Sequence, residues 1–448
     1  MLKKWVQKVF GGKRSSQHKE ATAQILKFAE HHISKDQLSF AAEKVIKRLQ
    51  EKNFDAFVVG GAVRDLLLNR EPKDFDIATN ASPEQVRQLF RRSRIIGRRF
   101  KIVHVMIGPE TIEVTTFRGG QIDTQNEHGR IMKDNSYGTQ QEDAERRDFT
   151  CNALYYNPRN QTIIDYHHGV DDIKAKKLVM IGDATERYQE DPVRILRAIR
   201  LSSKLGFTLD KKTAQPIIKS AYLLKKEPPA RLFDELIKLL LSGEARKCLE
   251  VLQGFGITSD TFPLLTTALT KQDTHPFVAL TLRHTDERLQ AGKPVSIGYL
   301  LASLLWPLVS QNWERHISEG QRSVPALILA MNDIQNGLDK NFSIPKRFSS
   351  TMREIWLLQP QFEARFGTRP YRLLSQQRFR AAYDFMLTRV EANELPQELA
   401  QWWTDFQVVS DSEKQEMIAQ IKQLSGQSQF KKRRPKRKNN AKKNHQEH

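Results

Sequence analysis

Residues 58–79, VVGGAVRDLLLNREPKDFDIAT, combine a glycine turn with two closely spaced carboxylates. The apolar run 57–59 predicts a buried strand, and residues 62–68 predict the start of a helix. Between them, Gly60 and Gly61 permit a tight turn with exposed backbone amides. Amides at the N-terminus of a helix favour an anion, so this turn is suited to a phosphate.

Two aspartates follow in the sequence Asp74-Phe75-Asp76-Ile77. Strand alternation places both carboxylates on one face and both apolar side chains on the other. Neighbouring carboxylates repel each other unless a cation lies between them, and hard oxygen ligands together with a triphosphate suit Mg²⁺. Two metals about 3.5–4 Å apart can stabilise the attacking and leaving oxygens of an in-line displacement, so a two-metal site is predicted. Asp74 and Asp76 are therefore the predicted metal ligands, and Mn²⁺ is the alternative ion.

Each of these features alone has an ordinary structural interpretation. A glycine turn by itself is more often a simple loop, and an Asp-x-Asp pair by itself is more often a solvated strand end. Here they occur together, at short spacing, and Arg64 and Asp65 directly follow the turn. The combination favours a catalytic site.

Two more motifs follow, RRDFTCNAL at 146–154 and EDPVRILRAIR at 190–200. Together, the four motifs resemble the class II nucleotidyltransferases, a family that contains bacterial poly(A) polymerases and tRNA CCA-adding enzymes. The resemblance spans roughly residues 60–200. It implies an α+β nucleotidyltransferase head, in which a mixed five-stranded sheet with flanking helices carries the metals. All-α neck, body and tail regions are expected to follow.

The resemblance also implies roles for individual residues. The matching positions are Gly60, Gly61 and Arg64 around the triphosphate, and Arg147, Asp148 and Asn152 at the ribose and phosphates. A third carboxylate is predicted from residues 111–117, TIEVTTF, which alternate like a strand and place Glu113 beside Thr115. Glu113 would orient a metal or the attacking 3′ hydroxyl. A plain surface glutamate is the alternative.

Asp191 and Arg194 bear on the choice of base. Pro192 near the start of a helical run, with Asp191 just before it, places the two residues three apart and close to one face. A carboxylate accepts hydrogen bonds and a guanidinium donates them. This pair matches the donor amino group and the adjacent acceptor ring nitrogen of adenine or cytosine. Guanine or uracil would leave groups unpaired, at a cost of ~1–3 kcal/mol for each buried group. The pair does not separate A from C, and an Asp cap beside an exposed arginine is the alternative.

Shorter signals distinguish the two activities of the family. Residues 96–104, IGRRFKIVH, and 228–235, PPARLFDE, resemble stretches that mark bacterial poly(A) polymerases. Nine of the thirteen residues from Lys431 to Lys443 are Lys or Arg, which predicts a disordered segment with a sequence-independent grip on RNA phosphates. A merely solubilising tail is the alternative. The predicted RNA-binding residues are Lys431, Lys432, Arg433, Arg434, Lys436, Arg437 and Lys438.

The sequence therefore predicts a template-independent poly(A) polymerase that adds AMP from ATP to single-stranded RNA 3′ ends, with Mg²⁺ as cofactor. A tRNA CCA-adding enzyme is the first alternative. A non-catalytic RNA-binding adaptor is the second, and the intact acidic and basic motif residues argue against it. A monomer is expected, and RNA-decay proteins are considered as further partners.

Composition and patterning suggest how the chain is organised. The net charge of +20 suits a polyanionic partner. The expected regions are an N-terminal arm at 1–37, a catalytic head at 38–170, a helical neck with the base-recognition motif at 171–250, a helical body at 251–425 and a disordered basic tail at 426–448.

Cysteine usage and hydropathy bear on location. The chain has two cysteines, Cys151 and Cys248, so neither a disulfide framework nor a cysteine metal cluster is indicated, and a reducing cytoplasm fits. Cys151 is expected simply to pack. Residues 1–12, MLKKWVQKVFGG, have the pattern of a short interfacial helix that would rest on an acidic inner membrane face or on a partner. A disordered start is the alternative. The longest apolar run, 299–309, is too short to span a bilayer.

Overall fold

The computed structural model describes residues 23–97, 101–119, 124–125, 131–133, 136–257, 260–262, 265, 275–339 and 344–431. The chain divides into two compact units between Glu227 and Pro228. This division lies inside the segment 171–250 that was expected to form the neck. The individual domain boundaries stay predictions.

A mixed sheet organises the first unit. The strands of the described residues are β1 (Gln24–Leu26), β2 (Ala56–Val59), β3 (Asp76–Thr79), β4 (Ser93–Ile96), β5 (Ile102–Ile107), β6 (Glu110–Thr116), β7 (Thr124–Gln125), β8 (Ile131–Lys133), β9 (Leu154–Asn157), β10 (Thr162–Asp165), β11 (Lys177–Leu178) and β12 (Thr208–Leu209). Eight of them form one sheet in the order β1-β10-β9-β2-β3-β6-β5-β4. Within this sheet β3 and β6 run parallel and the other neighbours antiparallel. The remaining strands form two small pairs, β7 with β8 and β11 with β12.

The mixed sheet is confirmed, but it has eight strands where the resemblance implied five. The sheet is larger because β9, β10 and β1 continue it beyond β2. Strand β1 lies in the segment expected to be an arm, and it pairs with β10 from Gln24 opposite Asp165 to Leu26 opposite Ile163. This pairing satisfies backbone groups that would otherwise form an open edge.

Helices cover the sheet and continue to the end of the first unit. They are α1 (Phe28–His31), α2 (Phe40–Glu51), α3 (Gly61–Leu67), α4 (Pro83–Leu89), α5 (Gln140–Arg146), α6 (Gly169–Lys174), α7 (Ala184–Glu190), α8 (Val193–Leu205) and α9 (Lys211–Ser220). Short 3-10 turns lie at Lys35–Gln37, Thr150–Asn152 and Ala221–Lys226. Aromatic side chains fill the core beside β2, where Phe57, Phe117 and Tyr155 pack together. This packing fixes β2 and β3, the two strands that bear the glycine turn and the aspartates.

In the ranges described, the regular secondary structure of the second unit is all helical. Its helices are α10 (Pro229–Leu240), α11 (Ala245–Gly254), α12 (Pro276–Gln290), α13 (Ile297–Ser318), α14 (Ser323–Asp339), α15 (Lys346–Leu358), α16 (Arg369–Leu374), α17 (Phe379–Glu391), α18 (Gln397–Val408) and α19 (Asp411–Lys431), with a 3-10 turn at Gln359–Gln361. Trp402 and Trp403 belong to its core, and the Trp403 indole donates to the carbonyl of Phe362 at 2.9 Å. The expected all-α body is confirmed in these ranges, but the segment 171–250, expected to be an all-α neck, also contains the strand pair β11 and β12. Across the described ranges, every helix is too short or too polar to cross a bilayer.

Candidate active site

The glycine turn lies directly between β2 and α3. Gly60 has φ of 73° and ψ of −131°, a conformation that disfavours any side chain, and Gly61 begins the helix. A Cβ at Gly60 would lie 3.5 Å from Nη1 of Arg147. The turn predicted from the sequence is therefore present, and it lies against a residue of the RRDFTCNAL motif.

Asp76 is the first residue of β3, and Asp74 lies two residues before it. Asp74 and Asp76 are exposed, whereas Phe75 and Ile77 are buried, as strand alternation predicts. Asp76 pairs with Val59 of β2 on one side. This pairing brings the first predicted metal ligand next to the strand that leads into the glycine turn.

On its other side, Asp76 pairs with Glu113 of β6. Although Asp76 keeps contact with solvent, the surrounding protein partly desolvates its carboxylate. This desolvation and the negative charges of Glu113 and Asp74 raise the pKa of Asp76 to about 6, against the positive charge of Arg147. Three carboxylates therefore interact within a small region, and their mutual repulsion disfavours the fully ionised state. The geometry thus places Glu113 beside the aspartates, at the position expected of a third carboxylate.

His104 is a neighbour of this group that the sequence analysis did not single out. It lies on β5 opposite Glu113, and its Nε2 is 3.3 Å from Oε1 of Glu113. In the sequence, the stretch 96–104 that contains His104 distinguishes two family activities and does not by itself indicate a contact with Glu113. The alternation of β5 could have signalled the contact, but the pairing of β5 with β6 had to be known as well.

Arg64 projects from α3 and is buried. Its Nε and Nη2 donate to one carboxylate oxygen of Asp65, at 2.9 and 2.7 Å. Its Nη1 donates to the side-chain oxygen of Asn152 at 2.6 Å. The structure therefore brings together two predicted nucleotide-binding residues, Arg64 and Asn152, which are far apart in sequence.

Arg147 lies under the glycine turn in a cluster of fixed partners. Its guanidinium donates to the Asp143 carboxylate at 3.1 Å, to the Tyr155 hydroxyl at 3.0 Å and to the carbonyl of Asn152 at 3.3 Å. Tyr155 in turn donates to Asp143 at 2.6 Å. Burial alone would lower the pKa of Arg147, but Tyr155 and Asp143 outweigh that effect and keep the guanidinium charged. Sequence reasoning did not identify Asp143 or Tyr155.

Asp148 is held by an arginine that the sequence analysis also missed. Arg197 donates twice to one Asp148 oxygen, at 2.8 and 2.5 Å, and Asn152 donates to the other oxygen at 3.2 Å. Burial alone would raise the pKa of Asp148, but Arg197 and the hydrogen bonds lower it to about 2. The available signal was the position of Arg197, three residues after Arg194 in EDPVRILRAIR.

The base-recognition motif forms the junction of two helices. Asp191 directly follows α7 and Pro192 precedes α8, as predicted, and the Arg194 amide donates to the Asp191 carbonyl at 3.0 Å. The Arg194 side chain is buried and donates to the Glu190 carboxylate and to the Arg187 carbonyl, both at 2.8 Å. The alternative of an exposed arginine is therefore wrong, because the Arg194 side chain is buried at the junction of α7 and α8.

Arg187 joins the two halves of the site. Its Nη2 donates to the carbonyls of Arg146 and Arg147, at 2.7 and 2.5 Å, and its Nη1 donates to Glu190 at 3.0 Å. Burial and the charge of Arg194 lower the pKa of Arg187 to about 10, so it stays charged at neutral pH. Glu190 therefore binds Arg187 and Arg194 together. Neither Arg187 nor Glu190 was identified from the sequence.

Some predictions concern other parts of the chain. Lys431 is the last residue of α19, and the remaining predicted RNA-binding residues of the tail lie outside the described residues. Residues 1–12 also lie outside them. Cys151 and Cys248 are buried free thiols, and burial raises the pKa of Cys151 to about 12. Cys151 packs in the core, as expected.

Comparison with known proteins separates the activities that share these motifs. Three family models match: the poly A polymerase head domain over residues 56–179, the probable RNA and SrmB-binding site of polymerase A over 206–269, and the polymerase A arginine-rich C-terminus over 319–440. Poly(A) polymerase I of Haemophilus influenzae is 39% identical over 95% of this chain and 97% of its own length. The chain belongs to the poly(A) polymerase family.

Its similarity to CCA-adding enzymes is more limited in sequence. The CCA-adding enzyme of Lactobacillus delbrueckii subsp. bulgaricus is 38% identical, but over 49% of this poly(A) polymerase family member and 54% of that enzyme. The crystal structure of the Bacillus stearothermophilus CCA-adding enzyme in complex with CTP matches with a TM-score of 0.52 and 25% identity, over 81% of this chain and 80% of that one. The nucleotidyltransferase fold expected from the four motifs is therefore confirmed.

Proposed function

We propose that this chain is a template-independent poly(A) polymerase. The 3′ hydroxyl of RNA attacks the α-phosphate of ATP, AMP joins the RNA, and pyrophosphate leaves. The observation that carries the proposal is the 39% identity to a Poly(A) polymerase I over 95% of the chain. RNA polyadenylation, in mRNA processing and RNA degradation, is the corresponding process.

Asp74 and Asp76 are the proposed ligands of Mg²⁺, and Mn²⁺ is a second ion that this donor set accepts. Carboxylate oxygens are hard ligands, and the repulsion that raises the pKa of Asp76 favours a nearby cation. The described residues hold no group of three or more His, Cys, Asp or Glu side chains that could complete a metal site by itself. Magnesium sites of nucleotidyl-transfer enzymes take further ligands from substrate phosphates and water. A bound metal would supply charge stabilisation for the reacting oxygens.

The protein's own contribution is positioning and fixed charge. Glu113 is proposed to orient the 3′ hydroxyl, and its register opposite Asp76 supports that role. Gly60 and Gly61 expose backbone amides to the triphosphate. Arg64, Arg147, Asp148 and Asn152 are the remaining residues proposed at the triphosphate and ribose. Their hydrogen bonds to one another and to neighbouring side chains hold the charges in place before substrate arrives, which lowers the cost of reorganisation during the reaction.

Asp191 and Arg194 are proposed to contact the edge of the base. Glu190 and the Arg187 carbonyl restrain the Arg194 guanidinium, so its donors have a defined direction. A donor beside an acceptor suits adenine and cytosine and leaves polar groups of guanine or uracil unpaired. Discrimination of A from C therefore requires further contacts.

The remaining partners are proposed from the sequence. Residues 431–438 are proposed to hold the RNA backbone, and residues 1–12 are proposed to contact an inner membrane face. The proposed state in the cell is a cytoplasmic monomer that binds RNA-decay proteins.

The test is extension of a generic single-stranded RNA in Mg²⁺ with each nucleoside triphosphate supplied singly, beside a tRNA transcript without its CCA end. Long, heterogeneous tails from ATP on the generic RNA are expected. Addition of three nucleotides confined to the tRNA, with a requirement for CTP, would instead establish a CCA-adding enzyme. Changing Asp74 and Asp76 together to Ala should abolish extension and preserve RNA binding. RNA binding without extension by the unaltered chain would favour the adaptor.

A further inference from the structure

Helix α8 is buried along its length except for one stripe of cations. Ten of its 13 residues are buried. The three that remain partly exposed are Arg197, Arg200 and Lys204. Spacings of three and four residues place these side chains on one face, on successive turns about 5 Å apart along the helix. The solvent-facing surface of α8 is therefore entirely basic.

The stripe begins at the candidate active site and ends beside the loop that leads to β3 and contains Asp74. At one end, Arg197 binds the carboxylate of Asp148. At the other end, Nη1 of Arg70 donates to the carbonyl of Lys204 at 3.4 Å. Arg70 belongs to the loop between α3 and β3, and Lys73 of this loop directly precedes Asp74. The contact therefore brings this loop, which contains two cations, to the end of the stripe.

Positive charge accumulates around Lys204. Burial lowers the pKa of its ammonium, and Arg64, Lys73 and Arg200 add to this effect against the opposing charge of Asp65. The Asp65 carboxylate is already bound by two nitrogens of Arg64. Within the part of the chain that the structure describes, no hydrogen bond or ion pair engages the Lys204 ammonium. A partly buried cation surrounded by cations gains electrostatic stabilisation when an anion binds.

We propose that Arg200, Lys204 and Lys73 form a phosphate-binding subsite that extends from the active site along α8. Its ligand is a phosphate group of the RNA backbone or of the triphosphate tail that leaves as pyrophosphate. The choice of these ligands rests on the proposed adenylation of RNA. The subsite suits an anion that bears several charges, because Arg200 and Lys204 lie on successive turns of α8 and Lys73 lies in the adjoining loop.

The test uses full-length chains with Lys204→Gln or Lys73→Gln. Lys174→Gln is the matched control, since it removes one exposed charge from the same unit. Binding of a fluorescent oligoadenylate is measured by anisotropy over a salt series, and binding of inorganic pyrophosphate is measured by calorimetry. Loss of one RNA phosphate contact should reduce the slope of log affinity against log salt by about 0.7. Loss of a contact to pyrophosphate should weaken its binding about fivefold.

A reduced slope with unchanged pyrophosphate binding assigns the subsite to the RNA backbone. Weaker pyrophosphate binding with an unchanged slope assigns it to the triphosphate tail, and both changes together assign it to both ligands. The proposal is overturned if both variants behave like Lys174→Gln in both assays. Lys204→Arg should bind as the unaltered chain does, which separates the loss of charge in Lys204→Gln from misfolding. Because Lys73 is exposed, Lys73→Gln provides an independent test. Neither assay needs turnover, so a failure of AMP incorporation by the unaltered chain would count against the proposed function alone.

Discussion

Replacement of Asp76 by Asn is expected to stabilise the first unit and to abolish catalysis. Burial and the charges of Glu113 and Asp74 raise the pKa of Asp76 from 3.8 to about 6, against the attraction of Arg147. A shift of about two pKa units corresponds to roughly 3 kcal/mol for a fully buried group. Asp76 is exposed, and solvent screening reduces this to about 1 kcal/mol. The active-site charge therefore destabilises the protein in the absence of substrate.

The dependence on pH follows from the direction of the shift. An acid whose pKa is higher in the folded protein than in the unfolded chain lowers the free energy of unfolding when it ionises. For Asp76 this loss begins near pH 3.8 and is complete above about pH 6. Asn does not ionise, so Asp76→Asn should gain almost nothing at about pH 4 and the full amount at about pH 7.

Hydrogen exchange measured by mass spectrometry tests the effect where it arises, in Asp76–Thr79 and Glu110–Thr116. A gain of about 1 kcal/mol should slow exchange of these strands about fivefold at neutral pH. Glu51→Gln is the control, because it neutralises an exposed carboxylate at the end of α2. Mg²⁺ should slow exchange more in the native chain than in the variant. Equal or faster exchange in Asp76→Asn at neutral pH would refute the repulsion between carboxylates.

Three further perturbations test the glycine turn, the partner of Asp148 and the basic tail. Gly60→Ala should cost about 1–3 kcal/mol and reduce AMP incorporation, because a φ of 73° strains any residue that has a Cβ. Unchanged thermal unfolding together with unchanged turnover would contradict this. Arg197→Met should cost about 3 kcal/mol above pH 4, because the largely buried carboxylate of Asp148 loses the arginine that pairs with it. In urea unfolding, this difference should shrink as pH falls towards about 2, and a constant difference would exclude Asp148 as the cause. Deletion of 431–448 should make the slope of log RNA affinity against log salt less negative by about 4. An unchanged slope would indicate a solubilising tail.

Much of the site was predictable because its signals are local in sequence. Alternation along one strand was sufficient to assign Asp74 and Asp76 to the exposed face and their apolar neighbours to the core. The two glycines between an apolar run and a helical pattern gave the turn at residues 60–61. In both cases the period of a single element determines which way the side chains point.

The partners of these residues depend on tertiary contacts and were not predictable in the same way. Arg197 binds Asp148 across 49 residues of sequence, and no local spacing encodes that distance. In the base-recognition motif, Arg194 lies three residues after Asp191 and four residues after Glu190. Either spacing allows a side-chain contact on one face of a helix. The end of α7 at Glu190 decides between them, since Asp191 leaves the helix. Helix boundaries are set by such terminal details rather than by periodicity.

The parallel pairing of β3 with β6 makes the active site sensitive to insertions at one location. Glu113 is opposite Asp76 only in the observed register, in which Val114 lies opposite Ile77. A single residue added within β6 before Glu113 would turn this carboxylate towards the core and bring an apolar side chain to the surface. Residues added in the loop after Thr79 would leave the register intact. Natural and engineered length variation should therefore accumulate between the strands and be excluded from β6 itself.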